Sequence, residues 1–202
     1  MSKLTPDVYY GEYYKLIKSA EEQLELSIYR CLDANDTHKE KIAKYISSRI
    51  KSPESVEEKL KRKNYPSGVK SAISNICDIV GVRIVVRFMD DIYTVKEMIE
   101  NCGEFKIIEE KDYVANPKSS GYRSYHLIVE VEVEDIKIHA EIQLRTMAMD
   151  CWASIEHQIR YKKEIENIEL ISSELKSCSE SLFEADITMG KIKRLVEKNS
   201  TP

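Results

Sequence analysis

The chain has 202 residues, 33% of them charged, with a formal net charge of −4; that balance argues against a general nucleic-acid coat but leaves room for a local basic pocket. No apolar run approaches the roughly 20 residues that span a bilayer, and the start Met-Ser-Lys-Leu-Thr-Pro lacks a signal peptide's apolar core. Cys31, Cys77, Cys102, Cys151 and Cys178 are odd in number and form no C-x-x-C, so they read as reduced, mostly buried thiols of a cytoplasmic protein, not a disulfide framework or zinc site.

The length suits one domain with helical appendages: an N-terminal helical segment over 1–43, a central domain over 44–162 and a long C-terminal helix over 163–202. Residues 8–46 read as helical, since Tyr13, Leu16, Ile17, Ala20, Leu24, Ile28 and Leu32 recur at helical spacing, with a break at Asn35-Asp36-Thr37. Five of the twelve tyrosines (Tyr9, Tyr10, Tyr13, Tyr14 and Tyr29) fall in the first thirty residues; amphipathic packing or a subunit interface accounts for them. An extended piece from Ile46 to Lys51 leads to Ser52-Pro53, a helix start with Ser as N-cap and Pro at the first helical position. That helix runs to about Lys63, and another covers 69–78. Val82 to Phe88 is a strand. Asp90-Asp91 opens a helix that ends before Cys102-Gly103. A strand near 105–113, a loop over 114–121 rich in Asn, Pro, Ser and Gly, and a hairpin of strands 122–133 and 136–145 follow. Helices over 146–162 and 165–197 complete the chain. In the last, Ile168, Ile171, Leu175, Cys178, Leu182, Ala185, Met189, Ile192 and Val196 form an a/d seam of about four heptads. Packing along its own domain or a subunit interface would bury that seam.

The chemistry concentrates on strands. From Ile136 to Arg145, apolar residues alternate with Lys137, His139, Glu141, Gln143 and Arg145, the period of a strand with one apolar and one polar face. On the strand before it, Tyr122, Ser124 and His126 share a side, and Arg123 and Tyr125 lie on the other. Ring faces stack on bases, cations hold phosphates, and a carboxylate can hold a metal or take a proton. A merely solvated sheet face would also alternate, but further cationic rows point the same way. Ser55, Lys59 and Arg62 share one face of the helix after Ser52, with Arg49 and Lys51 at its entrance. Free N–H groups and the dipole's positive end favour phosphate there, although Glu54, Glu57 and Glu58 could also pair with these cations. Arg83 and Arg87 lie on a strand and need partners, because unpaired buried charge is costly. Asp78 stands before that strand, with Gly81 allowing close backbone approach. Mg²⁺ typically uses one or two carboxylates plus substrate phosphates; Asp78 and Glu141 suit that role. Lys111 and Lys118 flank the flexible loop. His38 and His139 read as surface or structural, His157 as a helix-side hydrogen-bond partner and Trp152 as core.

Five ordered motifs together resemble one family. They are Arg49-Ile-Lys51-x₃-Ser55-x₃-Lys59-x₂-Arg62, Asp78-Ile-Val-Gly-Val-Arg83, Lys118-Ser-Ser-Gly-Tyr122-Arg123-Ser-Tyr-His126, Glu141-Ile-Gln143-Leu-Arg145-Thr and Trp152-Ala-Ser-Ile-Glu156-His157. The chain resembles the RelA/SpoT-type (p)ppGpp synthetases over roughly residues 44–162, in particular the single-domain small alarmone synthetases. The resemblance implies an α+β fold: a mixed, mostly antiparallel five-stranded sheet with packed helices, nucleotidyltransferase-like, and long terminal helices. It implies transfer of the β,γ-pyrophosphate of ATP to the 3′-hydroxyl of GTP or GDP. By the same resemblance, Arg49 and Arg83 sandwich adenine, while Lys51, Ser55, Lys59 and Arg62 hold the ATP phosphates. Asp78 binds Mg²⁺, and Glu141 assists the metal and activates the hydroxyl. Tyr122 stacks on guanine. Lys118, Arg123 and His126, with Lys111, neutralise the acceptor's 5′-phosphates, and Gln143 and Glu156 order either the acceptor ribose or the residues behind those that touch substrate. Asp150 occupies a position at which relatives carry Asn or Asp and a guanine contact is possible.

The long relatives carry a hydrolase domain with a His-Asp dyad. This sequence has no His-Asp dipeptide, and synthesis without hydrolysis is expected. A homotetramer is implied, with single-stranded RNA a candidate regulator rather than a substrate. The first helix lacks the lysine pair that serves alarmone feedback in some relatives. Two alternatives stand beside this one. A toxin-like relative would pyrophosphorylate tRNA or adenosine nucleotides; the acidic charge and the Lys118/Arg123/His126 set count against tRNA. A non-catalytic nucleotide- or RNA-binding regulator would not need both Asp78 and Glu141.

Overall fold

A computed structural model describes residues 4–35, 41–160 and 166–199. The expected break at Asn35-Asp36-Thr37, His38 and the junction between the last two helices fall wholly or partly outside the described residues. In chain order the elements are α1 (Pro6–Tyr10), a 3₁₀ turn (Gly11–Tyr13), α2 (Tyr14–Asn35), β1 (Ala43–Ile50), α3 (Pro53–Arg62), α4 (Val69–Asn75), β2 (Val80–Val86), α5 (Met89–Asn101), β3 (Lys106–Asp112), β4 (Tyr125–Val133), β5 (Ile136–Thr146), α6 (Met147–Arg160) and α7 (Ile168–Asn199). The five strands form one sheet in the order β1-β2-β5-β4-β3. Only β2 and β5 pair in parallel; the other neighbours are antiparallel. This is the mixed α+β architecture expected from the motifs.

Strand parity fixes the layers. Ile138, Ala140, Ile142 and Leu144 on β5, and Val80, Val82, Ile84 and Val86 on β2, are buried in one core with Ile17, Leu24 and Ile28 of α2 and Ile92, Val95 and Ile99 of α5. The alternate residues, Gly81 and Arg83 on β2 and Glu141, Gln143 and Arg145 on β5, emerge on the opposite face, because successive side chains of a strand point to opposite sides. α2 and α5 therefore cover one face, and the chemistry stays on the other.

Several boundaries differ from the sequence reading. The strand expected from Ile46 starts at Ala43, because its pairing with β2 runs back to Ala43 opposite Val86; tertiary pairing outweighs the local helical pattern. β4 begins at Tyr125, not Tyr122, and residues 122–124 belong to the preceding loop. Ser52 does cap α3: its hydroxyl accepts the Ser55 N–H at 3.4 Å. Ser52→Ala should lower stability by about 1 kcal/mol, the usual worth of an N-cap, in denaturant titration; an unchanged midpoint would mean that Pro53 alone starts the helix.

The cysteine reading needs correction. Cys31 and Cys102 are joined by a disulfide. α2 packs against α5, so residues 71 apart in sequence meet with a Cα separation of 5.4 Å, a proximity that spacing along the chain does not reveal. Cys151 and Cys178 are exposed and Cys77 is half-buried, so the remaining thiols are not mostly buried. Nor do all the early tyrosines face a partner. Tyr10 is buried and donates to the Lys51 carbonyl at 2.8 Å, and Tyr9 donates to Glu57.

α7 meets its own domain through a face that overlaps the middle of the heptad seam: Leu182 lines a small cavity with Ala148, Met149 and Trp152, and Ile171 and Leu175 are half-buried. Its buried residues are Ser179, Asp186 and Gly190. Thr146 donates to Asp186 at 2.6 Å and Trp152 Nε1 to the Leu175 carbonyl at 2.7 Å. The seam residues Met189, Ile192 and Val196 are 39%, 55% and 59% exposed. Among the described residues, no helix is long and apolar enough to cross a membrane.

Candidate active site

The register of the sheet assembles the site. One row crosses all five strands: Lys111 on β3 faces His126 on β4, His126 faces Gln143 on β5, Gln143 faces Arg83 on β2, and Arg83 faces Ser47 on β1. The neighbouring row runs Arg49, Gly81, Glu141. Gly81 is not required for close backbone approach here. A Cβ there would meet the Glu141 carbonyl at 3.8 Å and the Arg49 side chain at 3.9 Å, ordinary contacts.

At one end of these rows, α3 projects its cationic face. Lys51 and Lys59 both reach Asp78 Oδ2, at 3.0 and 2.8 Å. Burial works to raise the Asp78 carboxyl, but the two ammonium charges outweigh it and hold the group below the usual carboxylate range. Its other oxygen, Oδ1, is buried and has no partner among the described residues. A buried carboxylate oxygen without a donor fits a hard cation, which takes oxygen ligands and is completed by phosphates.

Glu141 lines the same recess as Asp78 and lies in a ring of donors. His126 Nδ1 is 3.0 Å from Oε1, and Gln143 donates to Oε2 at 2.5 Å. Burial alone would raise the Glu141 carboxyl; the His126 and Gln143 contacts and the charge of Lys59 bring it down to about 2. Tyr122 Oη is 2.9 Å from His126 Nε2. Lys118 Nζ sits 4.6 Å from the Tyr113 ring centroid and 4.8 Å from that of Tyr122, and burial lowers its pKa. Rings and a partly desolvated cation side by side suit a base joined to phosphates.

These groups line a single open cleft of about 760 Å³, large for a ligand site, which typically holds roughly 300–1,000 Å³. Arg49, Lys51, Ser55, Lys59, Arg62, Asp78 and Arg83 line one part; Lys111, Lys118, Tyr122, His126, Glu141, Gln143 and Glu156 line the other. Two cation-lined parts, with the carboxylates of Asp78 and Glu141 between them, make room for two phosphorylated ligands at once.

The family model for the region found in RelA/SpoT proteins matches residues 48–166, which contain this whole cleft. The chain belongs to the RelA/SpoT family. GTP pyrophosphokinase YwaC of Bacillus subtilis is 38% identical over 190 residues, spanning 86% of this chain and 90% of its own length. Among solved structures, small alarmone synthetase 1 from Bacillus subtilis bound to its product pppGpp matches with a TM-score of 0.80 at 33% identity, over 89% of this chain and 94% of that one. Small alarmone synthetase 2 from the same organism matches with a TM-score of 0.77 at 36% identity, over 91% and 98%.

One expected RelA/SpoT site residue stands elsewhere. Arg123 is not in the cleft: its guanidinium lies 3.7 Å from the Phe183 ring centroid on α7 and donates to the Val114 carbonyl at 2.6 Å. In the loop before β4, the Tyr122 ring enters the cleft while the next side chain, Arg123, turns to α7. Arg87 also turns away, donating to the Lys41 carbonyl at 2.8 Å, because β2 ends one residue before it.

In the other direction, the site residues inferred from the motifs omit Arg145, Tyr113 and Tyr45. Arg145 Nη1 donates to Asp150 at 3.0 Å, and Nη2 donates to Tyr122 Oη at 2.8 Å and to Gln143 at 2.9 Å. Asp150 also pairs with Arg83 at 3.2 Å and accepts from Tyr45. This carboxylate thus ties an arginine from each part of the cleft. Even spacing from Glu141 and Gln143 on β5 is the signal for Arg145, and even spacing from Lys111 the signal for Tyr113. Asp150→Ala would leave the buried Arg145 with Tyr122 and Gln143 alone and the half-buried Arg83 without this carboxylate, and should cost about 1.5–3 kcal/mol, the worth of hydrogen bonds to a charged group. Equilibrium unfolding measures it; a loss within about 1 kcal/mol, the size of a surface pair, would show that solvent already screens the cluster.

Proposed function

We propose that the protein is a GTP pyrophosphokinase that makes (p)ppGpp from ATP and GTP or GDP. The observation that carries this reading is the single cleft in which Glu141 faces a ring-and-cation pocket and Asp78 faces the cationic side of α3. ATP occupies the α3 side, with adenine between Arg49 and Arg83 and its phosphates along Lys51, Ser55, Lys59 and Arg62. GTP or GDP occupies the other, its base against Tyr122, its ribose near Gln143 and Glu156, and its 5′-phosphates toward Lys111, Lys118 and His126. Glu141 accepts the proton of the acceptor 3′-hydroxyl. The 3′-oxygen forms a bond to the β-phosphorus of ATP, the bond between that phosphorus and the α,β-bridging oxygen breaks, and AMP leaves. Such transfer is mostly positioning and charge neutralisation, which this site is built to supply.

Asp78 and Glu141 would hold Mg²⁺, whose contribution is to neutralise the transferring phosphates. The exposed seam on α7 is the surface through which the protein assembles as a homotetramer, since apolar residues in heptad array seek a partner helix. A cytoplasmic location, where ATP and GTP are plentiful, belongs to the same reading.

The test is incubation of purified protein with Mg²⁺, γ-labelled ATP and, separately, GTP, GDP, GMP or tRNA. Label should enter GTP or GDP. Label in tRNA instead would place the protein on the toxin-like branch, and nucleotide binding without transfer would make it a regulator.

A further inference from the structure

We infer that α7 is a clamp for the acceptor pocket. Through Ser179 and Phe183 it holds the loop over residues 117–124 in the shape that presents Lys118 and Tyr122, and Arg123 is the loop's anchor, not a phosphate ligand. The inference rests on the assignment of this end of the cleft to the guanosine nucleotide.

The contacts fall on one helix face. Ser179 and Phe183 are four apart and therefore neighbours on that face. The buried Ser179 hydroxyl donates to the Gly121 carbonyl at 2.5 Å. The loop lies flat on the helix at this point: a Cβ on Gly121 would sit 2.9 Å from the Ser179 Cβ and 3.4 Å from the Lys176 Cα. Gly121 also has φ +92°, a conformation that L side chains resist. One turn along, Phe183 stacks under the Arg123 guanidinium, which donates to the Val114 carbonyl. Arg123 thereby ties the loop's exit to its entrance. Within the loop, Gly121 N–H donates to the Lys118 carbonyl at 2.8 Å and Lys118 N–H to the Tyr122 carbonyl at 3.1 Å. Tyr122 and Arg123 are adjacent but point apart, one ring into the cleft and one guanidinium to α7. Fixing the second fixes the first.

Ser179 and Phe183 are positioning residues, so their loss should show as a split between the two substrates. Phe183→Ala should raise KM for GTP about tenfold, the scale of a lost cation–π contact with its packing, with KM for ATP and the thermal midpoint close to wild type. Ser179→Ala should move in the same direction by less, and Phe183→Tyr should restore the wild-type value. Arg123→Lys keeps the charge but loses the planar stack. It should match Phe183→Ala, and the double variant should be no worse than either single one. Glu184→Gln, exposed on the same helix, is the control. Equilibrium binding of a fluorescent GTP analogue repeats the comparison without turnover, so it still reads the clamp if the wild type transfers no pyrophosphate and the functional assignment falls. Equal rises in both KM values with a lower midpoint would overturn the inference. So would no change in either substrate, additive effects of the Arg123 and Phe183 variants, or wild-type GTP binding in Arg123→Lys.

Discussion

Glu141→Gln should lower the rate of pyrophosphate transfer by about 10²- to 10⁴-fold, the usual contribution of a positioned general base, while nucleotide binding persists. The amide keeps the shape of the side chain but cannot take the proton of the 3′-hydroxyl. In the free protein, burial pushes the carboxyl up, yet His126 and Gln143, with help from Lys59, hold it at about 2 against an ordinary 4.5. The phosphates of bound nucleotides draw on the same cations, so the base strengthens as the cleft fills. The depressed value also has a stability consequence. Because the folded-state pKa lies below the unfolded one, the contribution is present above pH about 4.5 and fades as pH falls toward 2. Glu141→Gln should therefore flatten the acid limb of the stability curve in that window. Single-turnover kinetics and acid unfolding measure the two effects; a variant that keeps its rate within tenfold of wild type would move the base to another residue.

Asp78→Asn should reduce Mg²⁺-dependent transfer by about 10²- to 10³-fold, since a bound metal contributes several kcal/mol of charge stabilisation. The same change should tighten the binding of metal-free ATP. In the wild type, Lys51 and Lys59 are both engaged with Asp78. A neutral asparagine removes the carboxylate that both ammonium groups touch, leaving Glu141 as the negative charge near Lys59, and the triphosphate becomes their partner. Calorimetry with ATP in the presence of a chelator reads this directly. Weaker metal-free binding in the variant would show that Asp78 orients the lysines instead of competing with the phosphates for them.

The period-two pattern of β5 is enough to place Glu141 and Gln143 on one face, and the Ser52-Pro53 start is enough to place α3. Sheet register does the rest: Lys111, His126, Gln143 and Arg83 come from four strands, yet each is legible in its own local pattern. What the sequence hides depends on contacts between distant segments. The Cys31–Cys102 bond needs α2 to lie on α5. The role of Asp150 needs Arg83, Arg145 and Tyr45 to converge from three strands. For Arg123 the motif misleads: it assigns the residue to the cleft, while in the loop before β4 the side chain turns to α7. The seam on α7 is a continuous apolar stripe in the sequence, but periodicity alone cannot say which way a stripe faces. Here Ser179, Asp186 and Gly190 are the buried residues, with Leu182 and Phe183 beside them, while Met189, Ile192 and Val196 face outward.

Toward its C-terminus α7 departs from the usual amphipathic helix, which turns its oily side to its own core: Met189, Ile192 and Val196 face outward. In the proposed homotetramer, neighbours that cover that stripe would add to the contacts α7 already makes with its own domain. Dissociation of that proposed assembly on dilution should loosen α7 before the sheet, and with it the guanosine half of the reaction before the adenosine half. Assayed at falling enzyme concentration, the protein should show a rising GTP requirement at constant ATP requirement, with a lag when concentrated enzyme is restored. Quaternary structure would then act on this catalyst as an affinity control for one substrate only.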